Sequence, residues 1–259
     1  MPSNRAPSMI AILSPAKTLD YARKVPPLPV TVPRFAPEAE RLAASAARLS
    51  RKRLADLMHI SPRLAELNAA RFRGFEALPE RPALYAFAGD VYAGFEVHSL
   101  DEEAVLFAQD HLRILSGLYG LLRPLDAIRP YRLEMGTRWA PRKGNLYSFW
   151  GARIAETLAD DLDGQDDRVV INLASKEYWA ASERHLDPLL RVIEIDFREE
   201  GPEGLRFHTF AAKRARGMMA RYLCEHRLCE PEALKSFDSD GYRYDPDHSD
   251  EGRWRFTRS

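Results

Sequence analysis

Two short, predominantly apolar runs constrain the fold more than any other feature of the sequence. They are MIAIL at Met9–Leu13 and VVINL at Val169–Leu173, and each spans five residues before a polar segment begins. A run of this length and composition predicts a strand that is buried on both faces. Strands of this kind occur in sheets with helices on both sides, so we expect an α/β fold.

Amphipathic segments supply the helices that such a sheet needs. Helical spacing or a clear helix start is found at residues 38–57, Ser61-Pro62, residues 101–115 and residues 211–227. Further strands are expected at residues 83–88, 191–197, 205–210 and 253–257. The sequence therefore predicts a mixed α+β protein of the α/β class. We expect a single compact domain at residues 9–259, with a central mixed sheet and surrounding helices, after a disordered tail or extension at residues 1–8.

Composition excludes several classes of protein. The 38 Lys and Arg residues balance the 38 Asp and Glu residues, so the whole chain has no general attraction for nucleic acid. Cys224 and Cys229 form neither a disulfide framework nor a CxxC metal knuckle, which fits a reducing cytoplasm. No apolar run reaches membrane-spanning length, and the first residues lack the core of a signal peptide. We expect a cytoplasmic monomer without a membrane partner.

Residues 112–136 combine glycines, apolar residues and arginines more densely than any other stretch. If Gly117 and Gly120 join two helices, the result is a helix-hairpin-helix-like element, whose backbone N–H groups hold a nucleic-acid phosphate. The two glycines are three residues apart, which departs from the usual hairpin spacing. A tight αα-corner with packing glycines explains the pattern nearly as well, so both interpretations stay open.

Positive charge is clustered although the net charge is zero. Between residues 113 and 153 only Asp126 and Glu134 are acidic, against Arg113, Arg123, Arg129, Arg132, Arg138, Arg142, Lys143 and Arg153. A second basic cluster lies on the predicted helix at residues 211–227 and contains Lys213, Arg214 and Arg216. One-signed clusters suit a phosphate backbone, although a solvated basic face explains such charge as well.

A second hypothesis places chemistry at the ends of predicted strands. Lys17 follows the strand at Met9–Leu13, and Asp90 follows the one expected at residues 83–88. Such loops meet at one edge of a sheet, so we expect Lys17 and Asp90 to lie close and to pair. With Glu134 they make an acid–base site, near Arg132 and Asn172. The alternative function is therefore an enzyme acting on a nucleotide, a nucleic acid or another phosphorylated substrate.

Metal and cofactor binding are not expected. The seven histidines show no metal-ligand spacing, and His208 and His226 alone make a poor site. The chain also lacks a P-loop, a nucleophile elbow and a zinc motif. We therefore expect no cofactor, no bound metal and no direct sequestration of iron.

Several strings of the sequence together resemble the bacterial peroxide stress protein YaaA family. In chain order they are SPAKTLD, NAARF, GDVY, LSGLYGLLRPLD, PYRLEMG, LYSFWG, VINLAS, KRARGMMAR and GYRYD. The resemblance is specific because the order and the long strings agree, and it runs from Met9 almost to the end of the chain.

The resemblance implies a cytosolic, DNA-binding protein of the hydrogen peroxide response that helps to keep free intracellular iron low. It also implies a helix-hairpin-helix element beside a positively charged cleft. Contacts to the DNA backbone give little sequence specificity, and the preference among duplex, distorted and partly single-stranded DNA stays open. The expected DNA-binding residues are Arg113, Ser116, Gly117, Gly120, Arg123, Arg132, Lys213, Arg214 and Arg216.

Overall fold

The computed structural model of the protein describes residues 7–142, 144–164 and 167–259. Lys143 of the basic stretch and residues 1–6 of the predicted tail lie outside these ranges. Ser8 lies within them, and its carbonyl oxygen accepts a hydrogen bond from the Val169 amide at 3.0 Å. The chain is therefore attached to the sheet from Ser8 onward.

The strands of the described residues include the two buried runs, and both begin and end where the sequence predicted. In chain order the strands are β1 Met9–Leu13, β2 Thr18–Leu19, β3 Arg81–Pro82, β4 Phe87–Ala88, β5 Leu112–Ser116, β6 Gly120–Leu122, β7 Ala127–Ile128, β8 Val169–Leu173, β9 Arg191–Gly201, β10 Gly204–Arg206, β11 Arg243–Asp245 and β12 Arg253–Arg258. Every residue of β1 and β8 is buried, as expected for strands in the middle of a covered sheet.

One eight-stranded mixed sheet forms the centre of the domain, which confirms the predicted fold class. Its order is β11-β12-β9-β8-β1-β5-β6, and β10 pairs with β9 as a hairpin. β5, β1, β8, β9 and β12 run parallel, whereas β6 and β11 are antiparallel to their neighbours. The carboxyl ends of the parallel strands therefore share one edge of the sheet.

Helices surround this sheet. Their bounds are α1 Ala36–Ala46, α2 Arg51–Met58, α3 Pro62–Arg73, α4 Ala83–Ala86, α5 Asp90–Phe95, α6 Glu102–His111, α7 Leu146–Trp150, α8 Arg153–Asp161, α9 Lys176–Trp179 and α10 Thr209–Glu225. α10 contains the fully buried Cys224, whereas Cys229 is exposed, and both cysteines are unpaired. Ser61 caps α3 by accepting a hydrogen bond from the Leu64 amide, which confirms the predicted helix start.

Two predicted elements divide differently in the structure. The helix predicted at residues 38–57 is two helices, because Ser50 caps a new helix at Arg51. The strand predicted at residues 83–88 is the short helix α4 followed by β4. In each segment the sequence pattern indicated one continuous element, and a local change of backbone direction divides it into two.

The prediction of a helix-hairpin-helix at Gly117 and Gly120 is wrong. The helix α6 ends at His111, and β5 and β6 form an antiparallel β-hairpin around the two glycines. A Cβ atom on Gly117 would lie 2.2 Å from the Leu133 carbonyl oxygen. Gly120 has a φ of 68°, and a Cβ atom there would collide with the Trp150 ring. The glycines therefore serve close packing inside the protein. The other interpretation, an αα-corner with packing glycines, was right about the packing and wrong about the helices, because strands flank the turn.

Candidate functional site

The edge formed by the carboxyl ends of β1 and β8 is the place where this topology favours a ligand. From β1 the chain proceeds to β5 on one side, and from β8 it proceeds to β9 on the other side. Loops that leave two adjacent parallel strands in opposite directions open a crevice between them. The first residues of that crevice are Ser14 and Ser175, whose hydroxyl oxygens lie 3.3 Å apart.

Lys17 and Glu134 meet beside this crevice. The Lys17 Nζ lies 3.4 Å from Glu134 Oε1, and the Arg132 Nε donates to the same oxygen at 3.0 Å. Lys17 is largely exposed, whereas the side chain of Glu134 is mostly buried. The other oxygen of Glu134, Oε2, is buried without a hydrogen-bond donor among the described residues. The predicted convergence of Lys17 and Glu134 is thus observed.

Asp90 lies nearby but has a different partner from the predicted one. β2 pairs with β4, so the loops that contain Lys17 and Asp90 do meet. Asp90 Oδ2, however, lies 3.8 Å from Lys213 Nζ on α10, and the predicted Lys17–Asp90 pair is replaced by Lys17–Glu134. Asp90 opens α5, which crosses α10 so closely that a Cβ on Gly217 would lie 1.8 Å from the Val91 carbonyl oxygen. This contact fixes Asp90 beside Lys213.

Buried tyrosines underlie the crevice. Tyr92 donates a hydrogen bond to the Ser14 carbonyl oxygen at 3.1 Å, and the hydroxyl groups of Tyr131 and Ser116 lie 2.6 Å apart. Burial raises the pKa of Tyr92, Tyr131 and Tyr178 well above the usual range of a phenol. These hydroxyl groups are therefore neutral and support the crevice by hydrogen bonding.

The basic cluster on α10 divides into residues that face solvent and one that faces inward. Lys213 and Arg214 are exposed, as the predicted basic face requires. Arg216 is partly buried, and burial lowers the pKa of its guanidinium. Gly217 is buried against α5, so it does not leave the helix backbone open to a ligand.

The predicted DNA-binding residues of the β5–β6 hairpin are inaccessible. Arg113 is 4% exposed, and its Nε donates to Asp161 Oδ2 at 2.6 Å. Ser116 is fully buried and accepts a hydrogen bond from the Tyr119 amide. Since Gly117 and Gly120 are enclosed as well, a DNA backbone cannot reach any of these four residues. The structure thus corrects their assignment as phosphate contacts.

Two further predicted arginines are paired within the protein. Arg123 donates to Asp126 Oδ1 at 2.9 Å and to the Val32 carbonyl oxygen at 3.2 Å. Arg132 is engaged with Glu134, as described above. Both side chains are partly exposed, so they line the surface with part of their donors already used.

The helix pair of α2 and α3 forms an exposed hairpin that the sequence interpretation did not assign to the site. α2 ends at Met58, His59 adopts the left-handed conformation with a φ of 51°, and Ser61 caps α3. The amides of Ser61 and Arg63 have no acceptor among the residues that the structure describes. A three-residue turn into the start of a helix leaves such N–H groups free for an anion.

Charge around this helix pair is strongly positive. Residues 48–73 contain two acids, Asp56 and Glu66, against Arg48, Arg51, Lys52, Arg53, Arg63, Arg71 and Arg73. Arg51 pairs with Glu66 and Lys52 pairs with Asp56, whereas Arg53 and Arg63 are exposed with no ion pair among the described residues. The available sequence signal was the Ser61-Pro62 helix start directly after a basic helix. A basic run on a helix more often marks a solvated face, so this signal alone does not indicate a site.

Among residues 7–142, 144–164 and 167–259, no group of three or more His, Cys, Asp and Glu side chains is arranged to hold a metal ion. No helix in the same ranges is long and apolar enough to cross a membrane.

Comparison with known proteins agrees with the resemblance found in the sequence. A family described as peroxide stress protein YaaA matches residues 9–248. A UPF0246 protein of Rhizorhabdus wittichii is 60% identical over 252 residues, which cover 97% of this chain and 100% of the relative. UPF0246 proteins of Jannaschia sp. and Caulobacter vibrioides are 51% and 47% identical, over 97% and 96% of this chain and 97% and 99% of the relatives. The chain therefore belongs to the peroxide stress protein YaaA family.

Proposed function

We propose that this protein is a cytoplasmic, monomeric DNA-binding protein of the peroxide stress response that contacts the DNA backbone with little sequence specificity. The observation that supports this function best is the exposed α2–α3 helix pair with its free amides and unpaired arginines. It replaces the β5–β6 hairpin as the helix-hairpin-helix element. Lys213 and Arg214, exposed on α10, are kept as further contacts.

The turn between α2 and α3 suits a phosphate group for two reasons. The N-terminus of α3 has a positive dipole end, and its first-turn amides point along the helix axis toward the turn. Arg53 and Arg63 add full positive charges on either side of that turn. None of these groups reads base edges, so the binding is expected to tolerate sequence.

DNA binding is tested by titrating duplex, bubble and single-stranded DNA at several salt concentrations. If about five phosphates are neutralised, log affinity falls with log salt at a slope of about −4.5. Reversal of Arg53 and Arg63 to glutamate is expected to weaken binding at least about tenfold and to make the slope smaller by about 2.

The matched control reverses Arg184 and Arg243, two exposed arginines in other parts of the molecule. This variant has the same change in net charge as the test variant. Equal losses in both variants, or a flat salt response of the wild-type protein, would contradict a backbone site at α2–α3.

The cellular part of the proposal is a lower level of free intracellular iron during peroxide stress, which rests on the family alone. A strain that lacks the gene is expected to contain more free iron, measured by electron paramagnetic resonance of chelated cells. Complementation with the Arg53 and Arg63 double variant then shows whether DNA binding is needed for this effect. Full rescue by that variant would separate the two activities.

A second candidate function, an enzyme on a phosphorylated substrate, is favoured by one specific observation. Lys17 and Glu134 lie 3.4 Å apart beside the crevice between β1 and β8, with Asp90 held nearby by α5. A lysine next to a carboxylate can move a proton at a bound substrate. Turnover of nucleotides or oligonucleotides that disappears in Lys17→Ala and Glu134→Gln would support this candidate. Unchanged substrates after long incubation would exclude it for the compounds tested.

A further inference from the structure

A cavity of about 850 Å³ lies beyond the carboxyl end of β8 and beside the middle of β9, next to the crevice between β1 and β8. We call it the β8–α10 pocket and define it by Asn172, Trp179, Phe207, Thr209, Lys213 and Arg216. Its volume falls within the range of small-molecule sites. A position beside the point where the strand order reverses is where α/β proteins usually bind their ligands.

One face of α10 forms a wall of this pocket. Thr209, Lys213 and Arg216 are four and three residues apart, so they project from the same side of the helix. The helix begins at Thr209, which places its positive dipole end at the pocket as well. A helix start and two basic side chains therefore converge on the same space.

Arg216 is partly buried and lacks the ion-pair partner that such an arginine normally has. Its Nε is buried without a hydrogen-bond acceptor, and the described residues contain no ion-pair partner for its guanidinium. The nearest acid that influences it is Asp196, which already binds Arg198 at 2.9 Å and Arg255 at 3.1 Å. An uncompensated buried charge is unfavourable, and a bound anion would compensate it.

Two of the acids that line the pocket do not compensate Arg216. Glu194 is bound to Arg253 at 2.8 Å, and Asp196 is bound to its two arginines. A third acid, Glu183, also lines the pocket, and Asp90 lies 3.8 Å from Lys213, so Arg216 carries the uncompensated positive charge of this side. This side suits a doubly charged phosphate better than a neutral ligand.

An aromatic surface lies at the rim of the same pocket. Phe207 is 47% exposed, which is unusual for a phenylalanine. It directly precedes His208, the residue that caps the start of α10. Exposed aromatic rings next to a phosphate site are used to stack nucleobases. The pocket thus offers an anion site and a flat apolar surface within one cavity.

We infer that the β8–α10 pocket binds a nucleoside monophosphate group. The phosphate monoester lies on Arg216 and Lys213, and the base stacks on Phe207. The group belongs either to a free nucleotide or to the phosphorylated end of a DNA strand. This site is separate from the backbone contacts at α2–α3 and does not depend on them.

The test measures binding of deoxynucleoside 5′-monophosphates to the full-length protein by isothermal titration calorimetry. The corresponding nucleosides and inorganic phosphate serve as comparison ligands. We expect saturable binding of at least one monophosphate, at least about tenfold tighter than binding of its nucleoside or of phosphate. Absence of saturable binding up to about 10 mM would overturn the inference. A monophosphate that binds no tighter than inorganic phosphate would overturn the part that concerns the base.

Arg216→Gln is the decisive variant, and Arg243→Gln, which changes an exposed arginine of β11, is its control. Arg216→Gln is expected to weaken monophosphate binding at least about tenfold, whereas Arg243 can be replaced with little effect. Because Arg216 loses no partner within the protein, the variant should unfold thermally at or above the wild-type temperature. Equal affinity of the two variants would contradict the site.

Two further measurements keep the inference testable if Arg216→Gln does not fold. Phe207→Ala changes an exposed residue and is expected to weaken the monophosphate but not inorganic phosphate. Short oligonucleotides with a 5′-phosphate, a 3′-phosphate or only hydroxyl ends distinguish a strand end from a free nucleotide. The Arg53 and Arg63 double variant should retain monophosphate binding, so failure of the DNA proposal and failure of this one are distinguishable.

Discussion

Two hairpins of this protein differ mainly in what surrounds their turns. The β5–β6 hairpin is enclosed, with Arg113 bound to Asp161 and Gly117 packed against Leu133. The α2–α3 hairpin is open, with Arg53 and Arg63 exposed at a turn whose amides lack acceptors among the described residues. Arginine and a tight turn therefore indicate a phosphate site only where the structure leaves both accessible. The following predictions test that contrast, beginning with the largest expected effect.

Asp161→Asn should destabilise the protein most, because it leaves Arg113 as a buried charge without its carboxylate. Removing one partner of a buried pair typically costs about 3–5 kcal/mol of the free energy of unfolding. Urea denaturation measures this loss, and Asp160→Asn, an exposed neighbour, is the control. A loss of less than about 1 kcal/mol would show that the pair is solvated rather than buried.

The same pair makes a prediction about pH. Burial tends to raise the pKa of Asp161, but hydrogen bonds from Arg34 and Arg113 outweigh it and hold the pKa below its ordinary value of 3.8. The ionised carboxylate therefore stabilises the folded protein above that pH, and the stabilisation is lost as the pH falls through the lowered pKa. The difference between wild type and Asp161→Asn should accordingly shrink below about pH 4. A constant difference would contradict this linkage.

Gly117→Ala is expected to cost about 3 kcal/mol, because its Cβ would collide with the backbone of residue 133. The added Cβ would lie only 2.2 Å from a carbonyl oxygen, and no side-chain rotation relieves this clash. Gly74→Ala is the matched control, since its nearest atom lies 3.6 Å away. Thermal unfolding that shows the same shift for both variants would refute the packing role of Gly117.

Arg63→Ala and Arg113→Ala should give opposite results in two assays. Arg63→Ala is expected to weaken DNA binding by about threefold to tenfold with little change in stability. Arg113→Ala is expected to lower stability, while the folded fraction binds DNA as the wild type does. Fluorescence anisotropy titration of both variants measures DNA affinity, and urea denaturation measures their stability. A loss of DNA affinity confined to Arg113→Ala would reverse the assignment of the two hairpins.

Ser61→Ala gives the smallest expected effect. It removes the hydroxyl group that caps α3, which typically costs about 1 kcal/mol of stability. Since the backbone amides of the turn remain, DNA affinity is expected to change less than in Arg63→Ala. A Ser61→Thr variant keeps the cap and should behave as the wild type in both assays.

The sequence was sufficient where local patterns determine structure. β1 and β8 are confirmed at both ends, because each apolar run is bounded by residues that cannot continue a buried strand. The segment at residues 112–116 was misassigned, because its apolar positions fit a helix as well as a strand. Its state is decided by pairing with β1, about a hundred residues earlier in the chain.

The candidate site shows the same limit. The loops that contain Lys17 and Asp90 meet as predicted, but through the separate two-stranded sheet of β2 and β4 and not at one edge of the central sheet. Glu134 belonged to the predicted site, whereas its pairing with Lys17 and that of Lys213 with Asp90 depend on the tertiary structure. The sequence pattern also did not predict the inward position of Arg216, because a basic residue on an amphipathic helix is usually assigned to the solvent-exposed face.

The burial of Cys224 has a consequence for a protein that acts in the presence of peroxide. Peroxide reacts with the thiolate form of cysteine, and burial both raises the pKa of Cys224 and excludes the oxidant. Met9, Met135 and Met219 are likewise fully buried. Only Cys229 offers an accessible thiol among the described residues. The oxidisable sulfur atoms that hold the core together are therefore shielded by the fold, which keeps the protein intact under the stress to which its family responds.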